Sequence, residues 1–296
     1  MRPEVSAVVV NYNAGRELGE AVAAIEAELA GREWDGAVVD NASTDGSTAA
    51  AAPLPPQMRL LRNAQNLGFG RAVNQGVGVC RGRSVLIVNP DCRLGVGAFA
   101  RLWRELEAHP GCAVVGPRIL DPDGSVQGSA RGDPDMLTGL FGRTSALQAL
   151  LPVLPVARRN VVVDEAIASG QASVPVDWVS GACMLVRRDA LDEIRGFDER
   201  YFLFWEDADL CRRLRGRGCH VRYVPGATAV HRVGTSSRTA RAASIRAFHD
   251  SAYLYYATHV APGALDLRRP LARALLGARC ALRLRAAPAD GAPSSR

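Results

Sequence analysis

Two hydrophobic rhythms alternate along the first part of the chain. Continuous apolar runs rich in β-branched residues, at 5–10, 37–39, 59–61, 85–88 and 113–115, have the pattern of strands buried on both faces. Between them, apolar residues recur at helical spacing over 16–29, 69–79 and 97–108. This alternation predicts βαβ units: an α/β chain with a Rossmann-like, mainly parallel sheet flanked by helices. Ligands in such sheets bind beyond the carboxyl ends of the strands. Polar clusters stand at three of those ends: Asn11-Tyr12-Asn13, the run from Asp40 and Asn41 to Gly46, and Asn89-Pro90-Asp91. Any one of them reads equally well as a turn, but three on one rim point to a shared site.

The second half is less regular. An Asp123-Gly124 turn predicts a hairpin over 117–130, and residues 133–173 have weak periodicity with many apolar side chains, the pattern of a mobile excursion. Short strands are expected at 176–179, 183–186 and 221–224, and helices at 188–194, 205–215 and 240–258. Beyond Pro262, residues 268–285 form a basic helical stretch with Leu271, Leu275, Ala278 and Leu282 on one face.

Composition narrows the chemistry. The 296 residues carry a net charge of +6, and all 36 basic residues are arginine, with no lysine. That excludes a P-loop, a pyridoxal phosphate Schiff base and a kinase ATP lysine. A phosphate would have to be held by arginine, backbone N–H groups, a helix N-terminus or a divalent cation. Seven cysteines without a C-x-x-C pair suggest neither a disulfide framework nor a zinc ribbon, and no signal-peptide pattern opens the chain, so a cytoplasmic location is expected. The longest apolar stretch, 144–157, is short and broken by Pro152 and Pro155, so no bilayer span is expected. Charge alone is weak ground for nucleic-acid binding, and none is expected.

Three segments have the residue types of a transferase site. Asp91 with the neighbouring Asn89 offers oxygen ligands of the kind Mg²⁺ or Mn²⁺ shares with a diphosphate. Glu206, Asp207 and Asp209 open a helix just after the aromatic run from Tyr201 to Trp205, placing carboxylates beside an apolar wall that a sugar could stack on. The same carboxylates also suit a helix N-terminus for dipole reasons alone. His231, Arg232, the hydroxyls at 235–237 and Arg238 fit a diphosphate and its metal.

Taken in order, these segments resemble the family 2 glycosyltransferases of GT-A fold, and within them the rhamnosyltransferase-like branch. The resemblance runs from about 5 to 256 through V-V-N-Y-N at 9–13, V-D-N-A-S-T-D-G-S at 39–47, N-L-G-F-G-R-A-V-N-Q-G at 66–76, N-P-D at 89–91, S-G-A-C-M-L-V-R-R at 180–188, the block from Gly196 to Leu210, and H-x-x-G-x-S from His231. It implies a nucleotide-sugar site at Asn11, Asp40, Asn41, Asn66, Gly68, Asn74, Asn89 and Arg238, with metal ligands at Asp91 and His231. Asn89 stands where the family's D-x-D motif has its first Asp, which leaves one metal carboxylate. Asp207 matches the catalytic base, with Glu206 the alternative, and Ser180, Gly181 and Trp205 fall on the acceptor side.

The resemblance implies an inverting, non-processive enzyme moving a sugar from a nucleoside-diphosphate donor, with dTDP-rhamnose the best match, to a saccharide acceptor on a polyprenyl diphosphate in cell-envelope polysaccharide synthesis. It divides the chain into a GT-A domain at 1–260 (nucleotide-sugar half to about 116, acceptor-side subregion 117–260), a basic helix at 261–285 that is a candidate for peripheral membrane contact at the inner face of the cell membrane, and a disordered tail at 286–296. The competing expectations are a UDP-hexose or galactofuranose transferase, and a non-catalytic nucleotide-sugar-binding module.

Overall fold

The computed structural model describes residues 2–133, 170–232 and 241–286. Strands β1 (Val5–Asn11), β2 (Trp34–Asp40), β3 (Met58–Arg62) and β4 (Ser84–Val88) alternate with helix α1 (Glu17–Glu28), the single turn α2 (Ser47–Ala50) and helix α3 (Phe69–Val79). They pair all-parallel in the order β3-β2-β1-β4. The sheet continues through β10 (Cys183–Arg187), β6 (Cys112–Leu120), β11 (His220–His231) and β5 (Cys92–Leu94), with β8 (Val174–Val176) on β11. Only β5, β8 and β10 run against the other six strands.

The continuous apolar runs follow from burial on both faces. Val5, Ala7 and Val9 of β1 pack on one side with Leu18, Val22 and Ile25 of α1 and with Phe99 and Leu102 of α4 (Ala98–Ala108). Val8 and Val10 face the other side, where Ala72, Val73 and Val77 of α3 meet Leu210 and Leu214 of α6 (Glu206–Arg215). Alternate side chains of one strand thus feed two cores, and the one polar residue inside it, Ser6, is buried with its hydroxyl bonded to Asp35 and to the Gly82 N–H.

Several expectations need correction. The strand expected at 176–179 is two strands in two sheets: β8 ends at Val176, while β9 (Trp178–Val179) pairs with β7 (Ala130–Arg131). Asp177 breaks the run because its carboxylate faces outward to Arg215 at 3.2 Å and to the backbone N–H of Asp133 at 2.7 Å. The hairpin over 117–130 amounts to a tight turn at 121–125 closed by one bridge, Leu120 to Val126. β11 extends well beyond 221–224, and its pairing with β6 shifts register between Val224 and Thr228, where Pro225 and Gly226 interrupt the hydrophobic pattern. β5 was not expected, since three residues after a turn carry no periodicity.

Helices α5 (Arg188–Glu193), α6 and α7 (Arg241–Tyr255) fall close to where they were expected, but the end of α7 widens into a π-helical turn at Tyr256–Val260. Helix α8 (Arg268–Ala286) includes Ala286, which had been assigned to the tail. The excursion at 134–169, residues 233–240 with Arg238 and the hydroxyls at 235–237, and the tail at 287–296 lie outside the described residues. Among the described residues no helix is long and apolar enough to cross a membrane.

Candidate active site

Strand direction explains which residues meet. β1, β2, β4 and β11 bring Asn11, Asp40, Asn89 with Asp91, and His231 to one rim by their carboxyl ends. β10 runs the opposite way, so its beginning, Ser180-Gly181-Ala182, reaches the same rim and Ala182 accepts the Asn89 N–H at 2.9 Å.

Two groupings result. In the first, the buried Asn11 Nδ2 lies 2.8 Å from Asp40 Oδ1, 2.9 Å from Ser43 Oγ and 2.8 Å from Ser47 Oγ. Asn41 Nδ2 donates to Asn66 Oδ1 and to the Gly68 carbonyl, both at 3.1 Å, and Asn66 Oδ1 also accepts the Gly68 N–H at 2.9 Å. These bonds brace the loop entering α3. Gly68 is required there: its backbone (φ 89°, ψ 167°) is open only to glycine, and a Cβ would lie 2.5 Å from the Phe202 carbonyl oxygen. Asn74 stands apart from this grouping. Its amide donates to the Phe197 carbonyl at 2.9 Å and accepts the Phe197 N–H at 2.9 Å, which holds the loop after α5.

The second grouping lines a cavity of about 210 Å³ that holds Asn89, His231, Ser180, Gly181, Trp205, Glu206 and Asp207 together. Asp207 Oδ2 accepts the Gly181 N–H at 2.9 Å. Glu206 is buried, its Oε2 has no hydrogen-bond partner, and burial followed by the Asp207 charge pushes its carboxyl up to about 8. It is therefore a neutral acid at pH 7. The third acid of the run is structural: Asp209, fully buried, meets Arg213 and His259 at 2.7 Å each. Phe204 and Trp205, which present the acids, both have φ near 69°, a left-handed conformation costing on the order of 1–3 kcal/mol each in bulky residues. Phe69 N–H and Ser251 Oγ–H hold that turn through the carbonyls of Phe202 and Leu203, and Trp205 packs edge-on to Phe248 and tilted against Tyr255.

His231 has the surroundings of a metal ligand. Gln127 Nε2 donates to Asp121 Oδ1 and to the His231 carbonyl, both at 2.8 Å, which turns its Oε1 toward His231 Nδ1 at 3.2 Å. With Nδ1 donating to Gln127 Oε1 and no second ring proton, the Nε2 lone pair faces Asp91 Oδ1 at 3.2 Å. Two acceptors at that distance call for a cation or a proton between them. Asn89 Nδ2 lies 3.5 Å from the same nitrogen, so the Asn89 amide also borders the gap. Among the described residues no three His, Cys, Asp or Glu side chains converge, so a cation here would draw the rest of its shell from its ligand. Arg232, expected as a phosphate clamp, is ion-paired with Glu17 at 2.9 Å.

Gln127, Arg131, Trp178 and Phe248 also border the site, and no sequence pattern marked them as part of it. Gln127 reaches His231 only because the Asp121–Ser125 turn folds back under β11, and Arg131 lies over the Trp178 ring on the cavity wall.

The family model described as Glycosyl transferase family 2 matches residues 6–195. A protein of Mycobacterium tuberculosis (strain H37Rv) named N-acetylglucosaminyl-diphospho-decaprenol L-rhamnosyltransferase is 35% identical over 263 residues, which cover 84% of this chain and 83% of that one. Rhamnosyltransferase WbbL of Escherichia coli K12 is 38% identical over 82 residues, 28% of this chain and 31% of its own. Among solved structures, the mannosyltransferase PcManGT from Pyrobaculum calidifontis, in complex with GDP-Man and Mn²⁺, superposes with a TM-score of 0.54 at 19% identity, covering 98% of this chain and 77% of that one. That likeness is one of fold, and the fold is GT-A.

Proposed function

The chain belongs to glycosyl transferase family 2, on its rhamnosyltransferase-like branch, and we propose that it transfers rhamnose from dTDP-rhamnose to a saccharide carried on a polyprenyl diphosphate, in the synthesis of a cell-envelope polysaccharide. The observation that carries this reading is the single cavity whose wall includes His231 and Asn89 as well as Asp207. A group that binds the leaving diphosphate and a group that activates the attacking hydroxyl must face one anomeric carbon, and here they share one space. The donor sugar and the lipid carrier are taken from the mycobacterial relative, whose name specifies both a rhamnosyl transfer and a diphospho-decaprenol acceptor.

In this reading Asn11, Asp40, Asn41, Asn66 and Gly68 shape the nucleoside end, Asn74 acts through the loop it holds, and residues up to about 116 form the donor half. The acceptor enters from the side of residues 117–260, stacking on Trp205 with Ser180 and Gly181 at the cavity floor. Asp207 takes the proton from the acceptor hydroxyl as the oxygen attacks the anomeric carbon, in one inverting displacement with no covalent enzyme intermediate. Glu206, neutral and with Oε2 lacking a partner, donates a hydrogen bond to an acceptor oxygen. Asp91 and His231 fit a divalent cation, Mg²⁺ or Mn²⁺. When bound, that ion neutralises charge on the departing diphosphate, the work that lysine does elsewhere. A lipid-linked acceptor also requires the cavity to work at a membrane surface.

Nucleotide release from dTDP-rhamnose, UDP-sugars and GDP-sugars, with and without Mn²⁺ and with a polyprenyl-diphosphate-linked saccharide, tests the proposal. Acceptor-dependent consumption of dTDP-rhamnose is expected. Preference for a UDP-hexose or UDP-galactofuranose would overturn the donor, and donor binding without turnover would make the chain a binding module.

A further inference from the structure

Helix α8 is held to the domain by very little of its surface. Of its 19 residues only Ala272 and Leu276 are buried, and Ala272 packs with Tyr256 and Ala261 at the end of α7. Leu271, Leu275 and Leu282 recur at helical spacing on one stripe and remain 56%, 39% and 64% exposed. Leu265 and Leu267, just before the helix, are 93% and 86% exposed. Charge in this segment has one sign: residues 262–286 contain six arginines and a single acid, Asp266, which Arg268 takes up at 2.6 Å. Two of the arginines tie the helix to the domain, Arg273 over the Tyr253 ring at 5.2 Å and Arg279 over the Phe248 ring at 5.6 Å. Phe248 is itself a wall of the cavity, so α8 lies one side chain away from the reaction space.

We propose that the leucine stripe of α8, with Leu265 and Leu267, docks on the surface of an anionic phospholipid bilayer, the exposed Arg283 and Arg285 meeting lipid phosphates. An apolar stripe bordered by arginine on a helix too polar to span is the pattern of a helix that lies in the interface plane. A bilayer fits better than a second copy of the chain, because pairing this face with itself would set arginine against arginine. A net charge of +6, with no lysine to share it, adds long-range attraction to an anionic surface. That docking brings the cavity to a lipid-linked acceptor rests on the function proposed above; the docking itself does not.

Sedimentation of the full chain with phosphatidylcholine vesicles, with and without phosphatidylglycerol, tests this directly. Binding is expected only with phosphatidylglycerol and should weaken in high salt. The triple variant Leu271→Glu, Leu275→Glu, Leu282→Glu changes exposed side chains only, so its melting temperature and its transfer to a water-soluble acceptor analogue should match wild type. Its vesicle affinity should fall about tenfold or more, and so should transfer to an acceptor embedded in vesicles. Arg283→Gln with Arg285→Gln should weaken binding and flatten its salt dependence. Absence of binding to anionic vesicles, a triple variant that sediments like wild type, or a solution dimer that the triple variant dissolves would each overturn the proposal. Vesicle binding without use of a lipid-linked acceptor would leave the docking standing and remove the acceptor assignment instead.

Discussion

Asp207 accepts the backbone N–H of Gly181 on Oδ2 at 2.9 Å, which fixes a helix N-terminal carboxylate against the opening turn of an antiparallel strand. The contact ties the Ser180-Gly181 turn to the α6 acids on the wall of one cavity. Asp207→Asn can keep this hydrogen bond through its amide oxygen but cannot accept a proton. The variant should fold and bind donor as wild type does, while transfer falls about 10²- to 10⁴-fold. Calorimetric donor titration beside initial rates checks it, and retained turnover would remove Asp207 as the base.

The rim was legible in the sequence because its residues sit where strands must end, and a buried β1 makes that end unmistakable: Asn11 follows six consecutive buried positions. The acids at 206, 207 and 209 were legible as a cluster because they follow an aromatic run and open a helix, and only the family resemblance singled out Asp207 among them. What could not be read was whatever the chain supplies from a distance. Nothing near Gln127 marks it as the partner of His231, 104 residues on. Phe248 carries only the ordinary periodicity of α7, yet it packs on Phe204 and Trp205. Asp209 looked like a third candidate acid until its burial against Arg213 and His259 showed where its charge is used.

The Gln127–His231 contact makes the second prediction. If Gln127 Oε1 keeps the proton on Nδ1, Gln127→Ala frees the imidazole to change tautomer and should weaken divalent-ion binding about 10- to 100-fold. Asp91→Asn should weaken it at least as much, by removing the one carboxylate beside Nε2. Mn²⁺ titration followed by electron paramagnetic resonance, in the presence of donor nucleotide, reads both variants without relying on turnover. Unchanged Mn²⁺ affinity in Asp91→Asn would rule out a cation between Asp91 and His231.

Glu206 predicts a pH dependence of stability. Its carboxyl rises from an ordinary 4.5 to about 8 in the fold, chiefly through burial and then through the Asp207 charge. Between those values the folded chain holds a proton that the unfolded chain releases, so this residue lowers stability progressively as pH rises through the window. Above about 8 the folded form ionises as well and the loss is complete. Glu206→Gln, a neutral side chain of the same shape, should therefore gain on wild type from pH 5 to about 8 and hold a constant advantage beyond. Denaturation midpoints across that range check it, and parallel curves for the two proteins would show that Glu206 is not held neutral.

Gly68 and Gly76 separate folding from site geometry, because both are crowded but against different neighbours. A Cβ on Gly76 would lie 2.6 Å from Val8 Cγ1, a side chain in the core between α3 and β1. On Gly68 it would lie 2.5 Å from the Phe202 carbonyl oxygen and 3.0 Å from the Phe202 Cα, atoms of the strap that carries Phe204 and Trp205 to the acids. Gly68 also has a backbone conformation that alanine does not tolerate, worth on the order of 1–3 kcal/mol. Both alanine variants should lose stability in urea titrations. Only Gly68→Ala pushes the Phe202–Trp205 strap out of place, and a displacement near 1 Å at a reacting group can cost about 100-fold in rate. The expected outcome is a Gly76→Ala enzyme that is less stable but turns over normally when folded, beside a Gly68→Ala enzyme whose kcat falls well beyond its loss of folded fraction. Equal losses of kcat in the two would mean that the strap does not position the acids.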